Sequence, residues 1–397
     1  MLRHIISKLL QDIYFLRTDE GYLRAGYPRY FSLFGRDSII SSLQLLNIDP
    51  TIAKATLLVL SKYQGKKIDY KSEEEPGKIL HEYRFSKESQ AELPNWKFPY
   101  YGSIDSTPLF IILAERYFEK TKDIQTIRKI LKNLIAAYYW IIKFGDKDKD
   151  SFVEYKRLNP HGLFHQGWRD SSSNHLHITP PVAIVEVQGY TFAAYDALLK
   201  LLKKLKCYDD LIPELKVRMQ TLEDRFNDAF WVDDIEYFAL ALDGKKQKNL
   251  SKSSNPGHLL FTGIINRKRA ARIVSRLFED DMWTPYGIRT CSERNPNFNP
   301  VSYHHGTIWP HDNWFVFMGC QQLGFDWCAK KIMKSILEAF IELKKMPELY
   351  GYYNDVLIDL SVPNKFLNKP IANPIQAWSS GALLDMLTKM EHKVIRD

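Results

Sequence analysis

Six acidic residues sit in stretches rich in Gly, Pro and aromatic residues. They are Asp37 in FGRDS (34–38), Asp105 in YYGSIDSTP (100–108), Asp170 in GWRDS (167–171), Glu186 in VEVQGY (185–190), Asp312 in YHHGTIWPHDN (303–313) and Glu348 in MPELYGYY (346–353). Two carboxyl groups suffice to hydrolyse a glycosidic bond: one protonates the leaving oxygen, the other attacks or activates water. Asp170 follows Gly167, Trp168 and Arg169. An indole beside the carboxyl desolvates it and raises its pKa, as a general acid requires at neutral pH. Arg169 turned inward opposes that effect, and the tetrapeptide alone also allows a helix N-cap or a buried ion pair. Glu348 lies just past a long helical pattern, where an isolated Glu also reads as a solvated cap.

The neighbouring polar residues have similar alternatives. Arg36 and Asp37 either fork onto sugar hydroxyls or pair with each other, with Asp37 or Ser38 capping a helix. Asp105 reads the same way ahead of Ser-Thr-Pro. Glu186 and Gln188 enter an apolar helix and need partners, which a polyol supplies. Trp309 offers a flat ring for a sugar face. His304, His305 and His311 form no HExxH-type spacing, so no metal is expected. DKDKDSFVEY (146–155) begins like a calcium loop, but Ser151 replaces the required Gly and Arg157 the required Glu.

The elements that must position these residues are helical. Apolar spacing predicts helices near 2–18, 35–48, 51–64, 106–120, 124–145, 184–207, 209–229, 256–264, 267–279, 309–324, 326–346 and 374–390, with short strand-like runs such as Tyr237–Leu242 between them. Each even-numbered helix follows one of the motif loops, and the links after it are short. Six helix hairpins therefore close into a ring with all long loops on one rim, at the N-terminal ends of the inner helices. The fold class expected is all-α, an (α/α)6 barrel with short β-hairpins in the rim loops, as a single domain over 1–397. Asp170 is on the third loop and Glu348 on the sixth, facing each other across the mouth, which is the inverting arrangement.

Composition sets the partners. The net charge is +8, but the lysines are scattered and form no stripe interleaved with aromatics, so nucleic acid is not expected. Cys207, Cys291, Cys320 and Cys328 form no CxxC pair, which fits reduced thiols in a cytoplasmic protein. The opening MLRHIISKLLQDIYFL has neither a signal-peptide cleavage site nor a membrane-length apolar run, so no membrane is expected.

Taken together, LFGRDSIIS (33–41), PGKILHEYR (76–84), YYGSIDSTPLF (100–110), QGWRDS (166–171), VEVQGYTFAAYDA (185–197), SSNPGHLL (253–260), YGIRTCSERNPNFNPVSYHHGTIWPHDN (286–313), MPELYG (346–351) and PIQAW (374–378) resemble the amylo-alpha-1,6-glucosidase family of glycogen-debranching-type enzymes. The resemblance implies inverting cleavage of alpha-linked glucosides without metal or organic cofactor. It places the acid at Asp170 and the base at Glu348. It places Arg36, Asp37, Trp168, Glu186, Gln188, His305 and Trp309 in loops that shape the family's sugar-binding pocket; Tyr101, Asp105, Arg169, Tyr350 and Trp378 are further candidates for substrate binding. Similar proteins often carry a β-rich domain before the barrel, where only a short helix precedes it here; short alpha-glucans or small glucosides are thus the expected substrates. A homo-oligomer or a separate β-rich chain fits as partner. The continuation SSNHLHITPP (172–181) departs from the acidic pattern of the family and points to a different substrate preference. Two further readings stand beside this one: a hydrolase of glucosylglycerate- or mannosylglycerate-type glycosides, with Arg169 meeting the anionic aglycone, and a non-catalytic glycan-binding subunit.

Overall fold

The computed structural model of the chain describes residues 2–171 and 178–394. Most of the SSNHLHITPP continuation, residues 172–177, therefore lies outside the described residues. Helices α1 (Leu2–Leu16), α2 (Gly35–Leu45), α3 (Pro50–Lys62), α4 (Lys87–Ala91), α5 (Ser106–Thr121), α6 (Ile124–Trp140), α7 (Val185–Leu205), α8 (Leu211–Ala229), α9 (Arg267–Leu277), α10 (Pro310–Leu323), α11 (Asp326–Leu343) and α12 (Ala377–Val394) follow in order. The short α4 was not foreseen. The helix expected over 256–264 is a 3-10 segment, Asn255–Phe261, because Pro256 and Gly257 open it and disfavour regular α geometry.

Packing closes a cycle. α2 packs on α5, α5 on α7, α7 on the 3-10 segment, that segment on α10, α10 on α12, and α12 back on α2. Helices α1, α3, α6, α8, α9 and α11 lie against this cycle. The sequences differ as the two environments require. In α2 and α10 nearly every turn is buried on all sides, whereas α1 buries only Ile5, Leu9, Ile13 and Leu16, one stripe at helical spacing. Close packing in the inner layer demands glycine: a Cβ on Gly319 of α10 would meet Leu260 Cβ at 2.2 Å.

Helix ends are set locally. Asp49, Asp123 and Asn266 accept from backbone N–H groups at the starts of α3, α6 and α9. Gly324 ends α10 at φ 76°. Strands are short and join the rim loops: Gly26–Tyr27 pairs with Ile375–Gln376, Leu33–Phe34 with Glu82–Tyr83, and Tyr350–Tyr353 with Val356–Asp359. The run Tyr237–Leu242 divides between two sheets, as Tyr237–Phe238 and Ala241–Leu242.

Among the described residues, no helix is long and apolar enough to cross a membrane. The DKDKD segment is explained by a lysine. Asp146, Asp148, Asp150 and Glu154 converge, and Lys246 Nζ reaches Asp148, Asp150 and Glu154 at 2.7, 2.5 and 2.6 Å.

Candidate active site

Inner helices α2, α10 and α12 begin at one end of the cycle, and their first turns carry Arg36 and Asp37, Pro310, and Trp378. With the GWRDS, HEYR and MPELYG loops they line a half-open cavity of about 250 Å³. Arg36, Asp37, Trp168, Asp170, Trp309, Glu348 and Trp378 line it, so seven of the residues anticipated from sequence meet in one place.

Arg36 organises one side. Its Nε donates to Asp105 Oδ2 at 2.7 Å, Nη1 to Asp170 Oδ2 at 3.1 Å, and Nη2 to the Gly167 carbonyl at 2.9 Å. Burial works against the guanidinium charge, but Asp105 and Asp170 outweigh it and hold Arg36 firmly protonated. Burial raises the Asp170 carboxyl above its ordinary value, and Arg36 restrains that rise.

Glu348 forms the other side. Its Oε1 accepts from the Tyr303 hydroxyl at 2.5 Å and its Oε2 from the Asn373 backbone N–H at 2.9 Å. The Glu348 N–H donates in turn to the Asn373 carbonyl at 2.9 Å, which fixes the backbone of the MPELYG loop against that of the last loop. Burial pushes Glu348 up to about 7 against the pull of these two hydrogen bonds. Asp37, held by Gln376 Nε2 at 3.1 Å, is pushed by burial to about 8.

Aromatic rings build the wall between the two sides. Trp309 lies stacked on His304 with centroids 5.0 Å apart, so one of its faces is already covered. Trp168 stands edge-on to both His304 and Trp309. Burial holds His304 and His311 well below the usual histidine range, so both are neutral. Trp168 Nε1, Trp378 Nε1 and His304 Nε2 are buried and have no hydrogen-bond partner among the described residues.

The other anticipated residues stand behind the wall. Asp105 serves Arg36 and accepts from Ser103 Oγ at 2.6 Å. Tyr101 donates to the Tyr63 carbonyl, and Tyr350 to the Tyr286 carbonyl. His305 contacts Asn295. Gln188 needs no polyol: it exchanges 2.8 Å bonds with the N–H and C=O of Val153 and takes the Ile184 carbonyl as well. Glu186 accepts from Asn255 Nδ2, and burial pushes it to about 8. Arg169 does not reach the mouth. It is buried against Asn255 Oδ1 and the His304 carbonyl, and the cation at Asp170 is Arg36.

Sequence reasoning missed Tyr30, His81, Glu82, Arg84, Trp96 and Tyr303 on this wall. His81, Glu82 and Arg84 belong to the motif PGKILHEYR, whose residues carried no assigned role. Tyr303 directly precedes the pair His304 and His305.

A family model described as mannosylglycerate hydrolase MGH1-like glycoside hydrolase domain matches residues 30–356. Mannosylglycerate hydrolase MGH1 of Selaginella moellendorffii is 30% identical over 108 residues, 26% of this chain and 21% of that protein. The chain thus spans about a fifth of the length of the curated relatives it matches. The crystal structure of GH63 mannosylglycerate hydrolase from Thermus thermophilus with Tris and D-glycerate superposes with TM-score 0.71 at 15% identity, covering 97% of this chain and 100% of that one. The same enzyme with glucose gives TM-score 0.72 at 16% identity, with coverage of 97% and 99%. At such identities the likeness is one of fold.

Proposed function

The chain belongs to the mannosylglycerate hydrolase MGH1-like glycoside hydrolase family, and from that premise we propose that it hydrolyses a small glycoside of glycerate with inversion, Asp170 acting as general acid and Glu348 as general base. This family replaces the amylo-alpha-1,6-glucosidase family expected from the motif loops. We read the closed helix cycle as the inner ring of an (α/α)6 toroid forming one domain.

The observation that carries the reading is the meeting of Asp170 and Glu348 on one small cavity. At about 250 Å³ it falls below the roughly 300–1,000 Å³ of drug-sized ligand sites. Such a volume fits one sugar with a short aglycone. Glycerate is the aglycone named for the relatives.

In this mechanism Asp170 gives its proton to the glycosidic oxygen as the bond breaks. Glu348, oriented by Tyr303 and Asn373, takes a proton from a water attacking the opposite face of the anomeric carbon. Asp37, pushed to about 8, is predominantly protonated at neutral pH and serves as a hydroxyl partner.

One observation favours a second reading with the roles exchanged. Glu348 is pushed up to about 7 with Tyr303 and Asn373 as its hydrogen-bond partners, while Asp170 has Arg36 beside it. A base is better served by the cation, an acid by its absence.

The activity is tested with purified protein on mannosylglycerate, glucosylglycerate, maltose and isomaltose. Highest kcat/KM on one of the two glycerate glycosides is expected. Faster release of glucose from isomaltose would return the reading to an alpha-1,6-glucosidase, and binding without turnover of any sugar would make the chain a glycan-binding protein.

A further inference from the structure

An anionic aglycone needs a cation at the cavity, and two guanidinium groups line it. Arg36 is engaged through all three of its nitrogens, by Asp105, Asp170 and the Gly167 carbonyl. Arg84 is not. Its Nε donates to Glu82 Oε1 at 2.5 Å, and its Nη1 to Glu92 Oε2 at 2.6 Å and the Ser89 carbonyl at 2.9 Å. Its Nη2 donates to nothing among the described residues. The two carboxylate partners differ in kind. The Glu82 side chain is 4% exposed and that of Glu92 is 71% exposed. An ion pair with so exposed a partner is worth little, whereas a guanidinium holding a carboxylate through two parallel N–H groups is among the stronger contacts available.

Arg84 also stands on the correct side of the reacting bond. Its partner Glu82 pairs along the backbone with Phe34, two residues before Arg36, whose guanidinium holds Asp170. A leaving group protonated by Asp170 departs toward that side. Glu92 ends the short helix α4, so its displacement requires movement of a surface side chain and no change in the inner helices.

We infer that Arg84 is the receptor for the carboxylate of the aglycone, and that Glu92 is an internal carboxylate which the substrate's own displaces. The inference rests on the glycerate reading above. It moves the anion site from Arg169, where the sequence placed it, to a residue of the HEYR motif.

The test compares kcat/KM for a glycosylglycerate and the matching glycosylglycerol, with the same sugar and linkage, in wild type, Arg84→Gln, Arg84→Lys and Glu92→Gln. Arg84→Gln is expected to lower the glycerate-to-glycerol ratio by about 30-fold or more, chiefly through KM, as loss of a charge-assisted pair does. Arg84→Lys should restore part of that ratio, and Glu92→Gln should lower KM for the charged substrate only. An equal loss on both substrates in Arg84→Gln would mean that Arg84 merely supports the wall, and would overturn the inference while leaving the glycerate reading intact. A wild-type protein without preference for the charged aglycone would overturn both. Should Arg84→Gln fail to fold, inhibition by free D-glycerate decides: it is expected to be competitive and tighter in Glu92→Gln than in wild type, and equal inhibition by glycerol would refute the anion site.

Discussion

The phenol of Tyr303 donates to Oε1 of Glu348 at 2.5 Å, within the cavity that also holds Asp170. This hydrogen bond favours the ionised carboxylate and lowers its pKa against the effect of burial. A base must be ionised to act, so activity is expected to fall as pH drops through about 7. In Tyr303→Phe the stabilised anion loses its partner. The acidic limb of the kcat/KM profile should move to higher pH, and turnover at pH 7 should drop roughly ten-fold, the scale of one hydrogen bond to a charged group. An unmoved limb would separate Tyr303 from the base.

Asp170→Asn and Glu348→Gln should each lose roughly 10²–10⁴-fold in kcat on a glycoside with an ordinary leaving group. A glycosyl fluoride needs no proton on its leaving group. Asp170→Asn should therefore recover turnover on the fluoride, and Glu348→Gln should not. The opposite pattern would exchange the two roles.

Glu348 carries a stability cost as well. Its folded pKa of about 7 lies above the ordinary 4.5, so between those values the folded protein holds a proton that the unfolded chain has lost. Stability from this group is present at low pH and is lost as pH rises through about 7. Glu348→Gln removes the buried charge. Its melting temperature should exceed that of wild type at pH 8, with the difference shrinking at pH 5, as measured by calorimetry.

Arg36→Leu strands Asp105 and Asp170 without their shared cation. Destabilisation of about 3–5 kcal/mol is expected in urea titrations, because breaking a buried pair leaves an uncompensated charge. In any folded fraction the Asp170 pKa rises further, moving the alkaline limb upward. Arg36→Lys keeps the charge but cannot bond Asp105, Asp170 and Gly167 together.

Gln188→Leu tests a residue that the sequence put at the substrate and the structure puts at the backbone of Val153. Loss of those bonds should cost about 1–3 kcal/mol in stability. KM should stay within about two-fold, roughly the limit of a second-order packing effect.

The inner and outer helices were legible because burial on all sides and burial on one stripe leave different periodicities, as α10 and α1 do. The 3-10 segment was not, since Pro256 and Gly257 interrupt a pattern that otherwise reads as α-helix. The order of the motif loops predicts that Asp170 and Glu348 approach each other, and both line one cavity. What the loops do not reveal is where a side chain turns. Arg169 and Arg36 are both arginines beside an aspartate in sequence, yet only Arg36 reaches the cavity. Tyr303 and Arg84 were hidden because a phenol or a guanidinium in a loop has no periodicity to betray its direction.

Proton NMR of the first-formed sugar tests inversion by the Asp170–Glu348 pair most directly. An alpha-linked glycerate glycoside should yield the beta anomer first, with the alpha form growing in only by mutarotation. The alpha anomer appearing first would contradict inversion, and with it the assignment of Glu348 as the base that activates water.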